Sequence, residues 1–120
     1  MRHALSIDLE EFFQIHALSE VIKEESWHTF PSSIESNTEK ILELLESRNI
    51  TATFFCLGWI AQRHPALIRR IHDKGHEIGC HGFSHQVIYH QDRQTFFADV
   101  SKAKKVLEDI TGSPVIGYRA

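Results

Sequence analysis

His81 and His85 stand four positions apart just beyond a strand-like segment, and one helical turn there points both imidazoles the same way, as a shared metal ion requires. Taken alone, such a pair is more often an accident of a polar loop than a metal site. A carboxylate at the end of an adjacent strand changes that weighting, because two histidines and one acid leave open positions on zinc for water and substrate. Asp8 and Glu10 supply such acids. The plain alternative for this stretch, a helix cap or surface acid pair, suits Glu11 better than Asp8. An ionisable residue within an otherwise apolar strand needs a partner to offset its desolvation. The chemistry this set would carry is metal-assisted hydrolysis: the metal lowers the pKa of its water and polarises a carbonyl, while a spare carboxylate takes the proton. Arg119, also at a strand end, stays charged and cannot act as a base, but it can orient a carboxylate through a bidentate pair; its alternative role is a surface salt bridge.

These residues need elements to position them, and the chain alternates strand-like and helix-like segments. Ala4 to Leu9 reads as a strand with Leu5, Ile7 and Leu9 on one side and Ser6, Asp8 and Glu10 on the other. The aperiodic stretch from Glu11 to Pro31, rich in aromatics, reads as a long excursion of the functional kind with a helical turn. Ser32 and Glu35 have capping-box spacing ahead of a helix that ends near Asn49. Thr51 to Leu57 reads as a strand buried on both faces. Trp59 to Lys74 follows as a helix, or two turns split by Pro65, with Gly75 just past its end. His76 to Cys80 is the next strand, about Gln94 to Thr111 a helix stopped by Gly112 and Pro114, and Val115 to Tyr118 the start of a fourth strand. The order β-α-β-α-β-α-β implies an α/β fold with a parallel sheet and right-handed crossovers, and active residues at the C-terminal strand ends. Asp8 and Glu10, the loop after Cys80, and Arg119 all fall there.

Composition limits the function classes. A chain of 120 residues, 42% hydrophobic and 24% charged, has length for one core and none for a second domain of usual size. A formal charge of -3 argues against nucleic acid as a partner. No apolar run approaches the roughly 20 residues of a membrane span, and the first residues lack a signal peptide's apolar stretch, so the chain as given reads as cytoplasmic. Cys56 and Cys80 read as buried thiols. Of the nine histidines, those outside the 81/85 pair read as structural or surface residues.

The set Ser6-Ile7-Asp8-Leu9-Glu10, Thr51-Ala52-Thr53-Phe54-Phe55, Gly75-His76-Glu77-Ile78-Gly79-Cys80-His81-Gly82-Phe83-Ser84-His85 and Gly117-Tyr118-Arg119-Ala120 closely resembles the polysaccharide deacetylase superfamily, the NodB-homology domains of carbohydrate esterase family 4. The Asp-x-Glu form, the aromatic excursion through Trp27 and Leu57-Gly58-Trp59 look most like the branch found with bacterial exopolysaccharide and exosortase loci. The resemblance implies a distorted (β/α) barrel of the TIM-related kind and metal-dependent removal of N- or O-acetyl groups from an acetylated glycan. It implies that His81 and His85 bind a divalent metal, most simply zinc, that Asp8 is the catalytic base, that Arg119 orients it, and that Tyr118 in the same motif contacts substrate. The common pattern has two adjacent acids. Here Leu9 fills the second place, and strand alternation puts Glu10 on the side of Asp8, which makes Glu10 the third ligand with the two acids' roles open to exchange. Gly82 replaces the usual Ser or Thr after the first histidine. The family's later motifs, which supply a groove wall and a histidine acting as general acid, have no counterpart; His16, His76 and His90 stand as substitutes for that acid but read better as structural.

On this reading residues 1–120 are the N-terminal part of one deacetylase domain, with little activity expected alone. Two alternatives stand beside it: a non-catalytic, metal-binding half-barrel that self-associates through an exposed sheet edge, and a hydrolase of cyclic amides. Phe12, Phe13, Trp27 and Trp59 are candidates for stacking on sugar rings, against the commoner role of core aromatics.

Overall fold

A computed structural model describes residues 2–120. The sheet has three parallel strands in sequence order, β1 (Ser6–Leu9), β2 (Thr53–Cys56) and β3 (Glu77–Cys80). Its register aligns Asp8 with Phe55 and Gly79, and Leu9 with Cys56 and Cys80. Side chains alternate across the sheet, so Leu9, Phe54, Cys56, Ile78 and Cys80 share one core with residues of every helix. The opposite face carries Ser6, Asp8, Thr53 and Phe55. The strand around Phe54 is therefore buried on one face only: Phe54 and Cys56 are fully covered, while Thr53 and Phe55 remain half-exposed. That second face is where the polar chemistry gathers.

The helices are α1 (Ile34–Ser47), α2 (Gly58–Arg63), α3 (Pro65–Asp73) and α4 (Arg93–Thr111). Pro65 splits the second helical segment, taking the first position of α3, where its missing N–H costs nothing. Asp92 caps α4 by accepting from the Thr95 amide at 2.7 Å. The expected Ser32/Glu35 capping box at α1 does not form. Glu11, from the other end of the excursion, lays its carboxylate over the helix start instead: Oε1 accepts from the amides of Ser33 at 2.9 Å and Ile34 at 3.0 Å, and from Ser32 Oγ at 2.5 Å. A full negative charge answers the unpaired amides and the helix dipole better than a neutral hydroxyl does.

Val115 to Tyr118 does not become a strand. Only Tyr118 pairs, as a single parallel bridge to Cys80, flanked by hydrogen bonds from the Cys80 amide to the Gly117 carbonyl at 2.8 Å and from the Arg119 amide to the Cys80 carbonyl at 2.9 Å. The reason is local. The Val115 amide is taken by Glu108 Oε1 at 2.8 Å, tying that residue to α4, and β3 itself ends at Cys80.

The excursion after β1 holds three 3-10 segments, Phe12–Gln14, His16–Leu18 and Glu24–Thr29. Phe13, Trp27 and Trp59 are buried and pack edge-on or tilted, with Trp27 and Trp59 centroids 5.5 Å apart. They are core, which removes them as free stacking platforms for sugar rings; Phe12 alone of the four is exposed. No helix among the described residues is long and apolar enough to cross a membrane.

Candidate metal centre

β1 ends in Leu9, whose side chain is buried, and the next residue, Glu10, is thereby turned toward the loop that follows β3. That loop begins at His81, whose amide bonds to the Cys56 carbonyl at 3.0 Å as if extending the sheet by one residue. No helical turn joins His81 to His85. The chain instead passes through two left-handed residues, Gly82 at φ 78° and His85 at φ 58°. This brings the two imidazoles edge to face at 4.8 Å between centroids. A β-carbon at position 82 would sit 3.0 Å from Asp99 Oδ2, and the left-handed backbone there favours glycine, which accounts for the absence of the expected hydroxyl residue. The loop is held by three hydrogen bonds from two helices. Asp99 Oδ2 accepts from the Phe83 amide at 3.0 Å, and the first two amides of α2, Gly58 and Trp59, donate to the carbonyls of Gly82 and Phe83, each at 2.9 Å.

Glu10, His81 and His85 meet as a result, each offering a ligand atom within 4.8 Å of the others. Glu10 Oε2 lies 3.0 Å from His85 Nε2 and 3.5 Å from His81 Nε2. These approaches lack hydrogen-bond geometry: Glu10 Oε2 and His81 Nε2 are buried without a hydrogen-bond partner. The tautomer of His81 follows from its other nitrogen. Nδ1 lies 3.0 Å from the Arg119 carbonyl, which can only accept, so Nδ1 carries the proton. A neutral His81 therefore aims the lone pair of Nε2 at a carboxylate oxygen, an arrangement that repels unless a proton or cation sits between them. Burial alone would raise the Glu10 carboxyl, but the two imidazoles, when protonated toward it, outweigh that and hold it down to about 2. Burial would lower His81, and Glu10, the Arg119 carbonyl and the Asp8 charge together reverse that and raise it. A carboxylate that stays ionised and two ring nitrogens facing one point are the donor set of a divalent transition metal, with the outer-shell carbonyl that fixes a ligand histidine.

Asp8 stands two residues before Glu10 and outside this cluster. Arg119 Nη1 donates to Asp8 Oδ1 at 2.7 Å, while Nη2 donates to Ser6 Oγ at 2.7 Å. The expected bidentate pair is thus divided between two acceptors, with the guanidinium lying 4.3 Å above the Phe55 ring. Tyr118 is 41% exposed, packs edge-on against Phe96 at 5.7 Å, and lines a cavity of about 290 Å³ shared with His81 and His85. His76 is buried and accepts the Ala52 amide on Nδ1 at 3.1 Å, a structural role. Cys56 and Cys80 are buried free thiols, and burial pushes both upward from the ordinary thiol range.

The polysaccharide deacetylase family model matches residues 19–120. The chain belongs to the polysaccharide deacetylase family. β1, with Asp8 and Glu10, precedes the matched span. Over 82 residues the chain is 35% identical to the peptidoglycan-N-acetylglucosamine deacetylase PgdA of Listeria monocytogenes, covering 68% of this chain and 17% of that protein. Over 85 residues it is 32% identical to the peptidoglycan-N-acetylmuramic acid deacetylase PdaA of Bacillus subtilis, covering 70% of this chain and 32% of that one. The fold superposes on the peptidoglycan deacetylase PdaC of Bacillus subtilis with a TM-score of 0.74 at 23% identity, over 97% of this chain and 46% of PdaC. The chain therefore spans less than half the length of each of these relatives.

Sequence reasoning did not anticipate the Arg119 carbonyl behind His81, since a backbone atom leaves no residue-type signal, nor Asp99 and Ser6. Asp99 had no visible mark in the sequence. Ser6 had one, its place two residues before Asp8 on the same strand face.

Proposed function

We propose that this chain carries the metal-binding part of a deacetylase site that hydrolyses acetyl groups from an acetylated amino-sugar glycan. Glu10, His81 and His85 would hold one divalent metal, and zinc suits two imidazoles and a carboxylate with positions left open. The observation that carries this reading is the convergence of their ligand atoms within 4.8 Å, with Glu10 Oε2 and His81 Nε2 buried and unpartnered. When bound, such a metal polarises the acyl carbonyl and lowers the pKa of water. The residues around it have separate tasks. Asp8 accepts the proton of the attacking water, and Arg119 fixes the Asp8 carboxylate while its Nη2 is braced on Ser6. His81 is kept in one tautomer by the Arg119 carbonyl, so Arg119 serves both groups, through its side chain and its backbone. Tyr118 contributes one wall for the sugar.

The relatives' names supply the acetylated amino sugar. The finer assignment to the exopolysaccharide branch rests on the Asp-x-Glu form and on the aromatic excursion, whose buried Phe13 and Trp27 make it an integral part of the core. Residues 1–120 are taken as the N-terminal part of one deacetylase domain, with low turnover by themselves.

Calorimetric zinc titration of the chain tests this. One site is expected in the parent, and His81→Ala should weaken binding by a hundredfold or more, since one of three ligands is lost. Equal affinity in both proteins rejects the site, and a robust acetate-release rate from the isolated chain rejects the low-turnover part.

A further inference from the structure

Arg119 has to reach across the whole sheet to touch Asp8. Its backbone is fixed beside the far strand, where its amide donates to the Cys80 carbonyl at 2.9 Å. Its guanidinium ends at β1, on Asp8 Oδ1 and Ser6 Oγ, each at 2.7 Å. Neighbouring strands lie about 4.8 Å apart, so the side chain runs about 10 Å, over β2. The ion pair at its end does not hold it there alone. The Arg119 and Asp8 side chains are 39% and 35% exposed, and a pair that open contributes little against the freedom of a long side chain.

Midway stands Phe55. Asp8, Phe55 and Gly79 are register partners and form one row across the three strands. Phe54 and Cys56 point into the core, whereas Phe55 turns to the opposite face and stays half-exposed, so core packing does not account for an aromatic at this position. Its ring leans over β3. A β-carbon at position 79 would lie 2.6 Å from ring carbon Cδ1 and 2.8 Å from Cε1, and one at position 117 would touch Cε1 at 3.6 Å. Gly79 has no left-handed backbone to explain it. A glycine inside a strand weakens the strand and marks a close approach, which here is the Phe55 ring. Arg119 Cζ lies 4.3 Å from the centroid of that ring, within the range of a cation–π contact. One strand position is thus kept bare for the ring, and a cation rests on the ring.

We propose that Phe55 is a positioning residue for the hydrolysis, its ring serving as the platform that holds the Arg119 guanidinium against Asp8 and thereby aims the base. Gly79 is the condition for this, because a side chain there would displace the ring. The inference rests on the deacetylase reading in taking Asp8 as the base. The platform belongs to β2, which supplies none of Glu10, His81 and His85.

The test is proton–nitrogen NMR of the chain, following the Arg119 side-chain N–H groups in the parent, Phe55→Leu, Phe55→Tyr and Gly79→Ala. The parent signals are expected upfield, shifted by the ring current of Phe55, with slowed rotation of the guanidinium. Phe55→Leu should abolish the shift and speed that rotation about two- to fivefold, the range that an exposed cation–π contact supplies. Phe55→Tyr keeps the aromatic face and should restore both readings. Gly79→Ala leaves Phe55 in the chain and should reproduce the Phe55→Leu result, which decides the matter should Phe55→Leu fail to fold. In a full-length deacetylase carrying these residues, Phe55→Leu should lower kcat about tenfold with KM and zinc affinity within about twofold of the parent. No ring-current shift in the parent, unmoved Arg119 signals in the variants, no rescue by tyrosine or an unchanged kcat overturns the platform. The metal centre is judged separately: zinc binding that His81→Ala abolishes leaves it standing when the platform fails, and absence of zinc binding removes it even where Arg119 still rests on Phe55.

Discussion

Glu11→Ala should be the most damaging single truncation outside the apolar core, and the structure says by how much. Glu11 is 3% exposed, and its carboxylate takes two helix-start amides, at 2.9 and 3.0 Å, together with the hydroxyl of Ser32 at 2.5 Å. Loss of a helix cap costs about 1 kcal/mol and up to about 2. A full charge at a partly buried helix start adds about 1 kcal/mol more, and removing it strands donors that the fold has already desolvated. Taking about 3 kcal/mol as the sum, and about 2.1 cal/mol/K per residue of unfolding entropy near the midpoint, a chain of 120 residues should lose about 12 °C in Tm. Glu11→Gln, which keeps the shape and one acceptor but no charge, should lose about a third of that. The consequence reaches the proposed metal centre because Glu11 follows Glu10 directly, and removing its anchor frees the backbone that aims the Glu10 carboxylate at His81 and His85. Zinc affinity should fall about tenfold in Glu11→Ala, at the lower end of what outer-shell groups contribute. Urea unfolding and calorimetry on the same samples read both effects. A loss under 0.5 kcal/mol would mean that water replaces the carboxylate freely and that the cap does not organise this end of the sheet.

The other expectations concern single residues. Asp8→Asn should bind zinc within about twofold of the parent while acetate release by a full-length deacetylase carrying it falls by about 10² to 10⁴; loss of zinc in this variant would exchange the roles of Asp8 and Glu10. Gly82→Ala forces a β-carbon into a left-handed backbone beside Asp99, at a cost of about 1–2 kcal/mol, and unchanged unfolding would show that the loop relaxes without strain. His76 supplies a pH dependence. Burial, and secondarily Lys74, lower its pKa, and protonation would turn its Nδ1 from acceptor to donor against the Ala52 amide. The unfolded chain therefore binds the proton more readily. This stability is complete above the ordinary histidine value of about 6.5 and is lost as pH falls toward the depressed folded value, by at most about 1.4 kcal/mol per pH unit. His76→Asn keeps an acceptor at that place and should flatten the wild-type loss between pH 7 and 5; parallel curves would refute the assignment.

How far the sequence was legible depends on whether a position is determined by its neighbours in sequence or in space. Phe96, Val100, Ala103, Leu107 and Ile110 repeat at helical spacing, so α4 and its stop at Gly112 can be read without a structure. β2 is legible as a strand, but its one-sided burial is not: the run reads as covered on both faces, whereas Phe55 is covered only partly and by Arg119, which is far away in sequence. The same distance hides the cap of α1. Ser32 and Glu35 have the right spacing, yet a carboxylate arriving from Glu11 outcompetes them, and no local pattern reports it. The alternation expected to put Asp8 and Glu10 on one side is a property of β1 alone, and β1 ends at Leu9. It does not separate their partners, since Glu10 lies just past the strand and meets His81 and His85, while Asp8 stays in register with Phe55 under the guanidinium.

The histidine pair shows why a spacing can be right for a mistaken reason. Four positions along a helix and four along this loop both bring two imidazoles together, but the loop needs two left-handed residues and outside support from Asp99 and the start of α2. A helix would carry its own hydrogen bonds, so the pair would survive changes elsewhere. In this fold the geometry of His81 and His85 depends on α4 through Asp99, on α2 through Gly58 and Trp59, and on the segment after the Tyr118 bridge through the Arg119 carbonyl. The two imidazoles are therefore positioned by elements that hold neither of them, and if the cluster binds zinc as proposed, substitutions at Asp99 should weaken that binding with Glu10, His81 and His85 all unchanged.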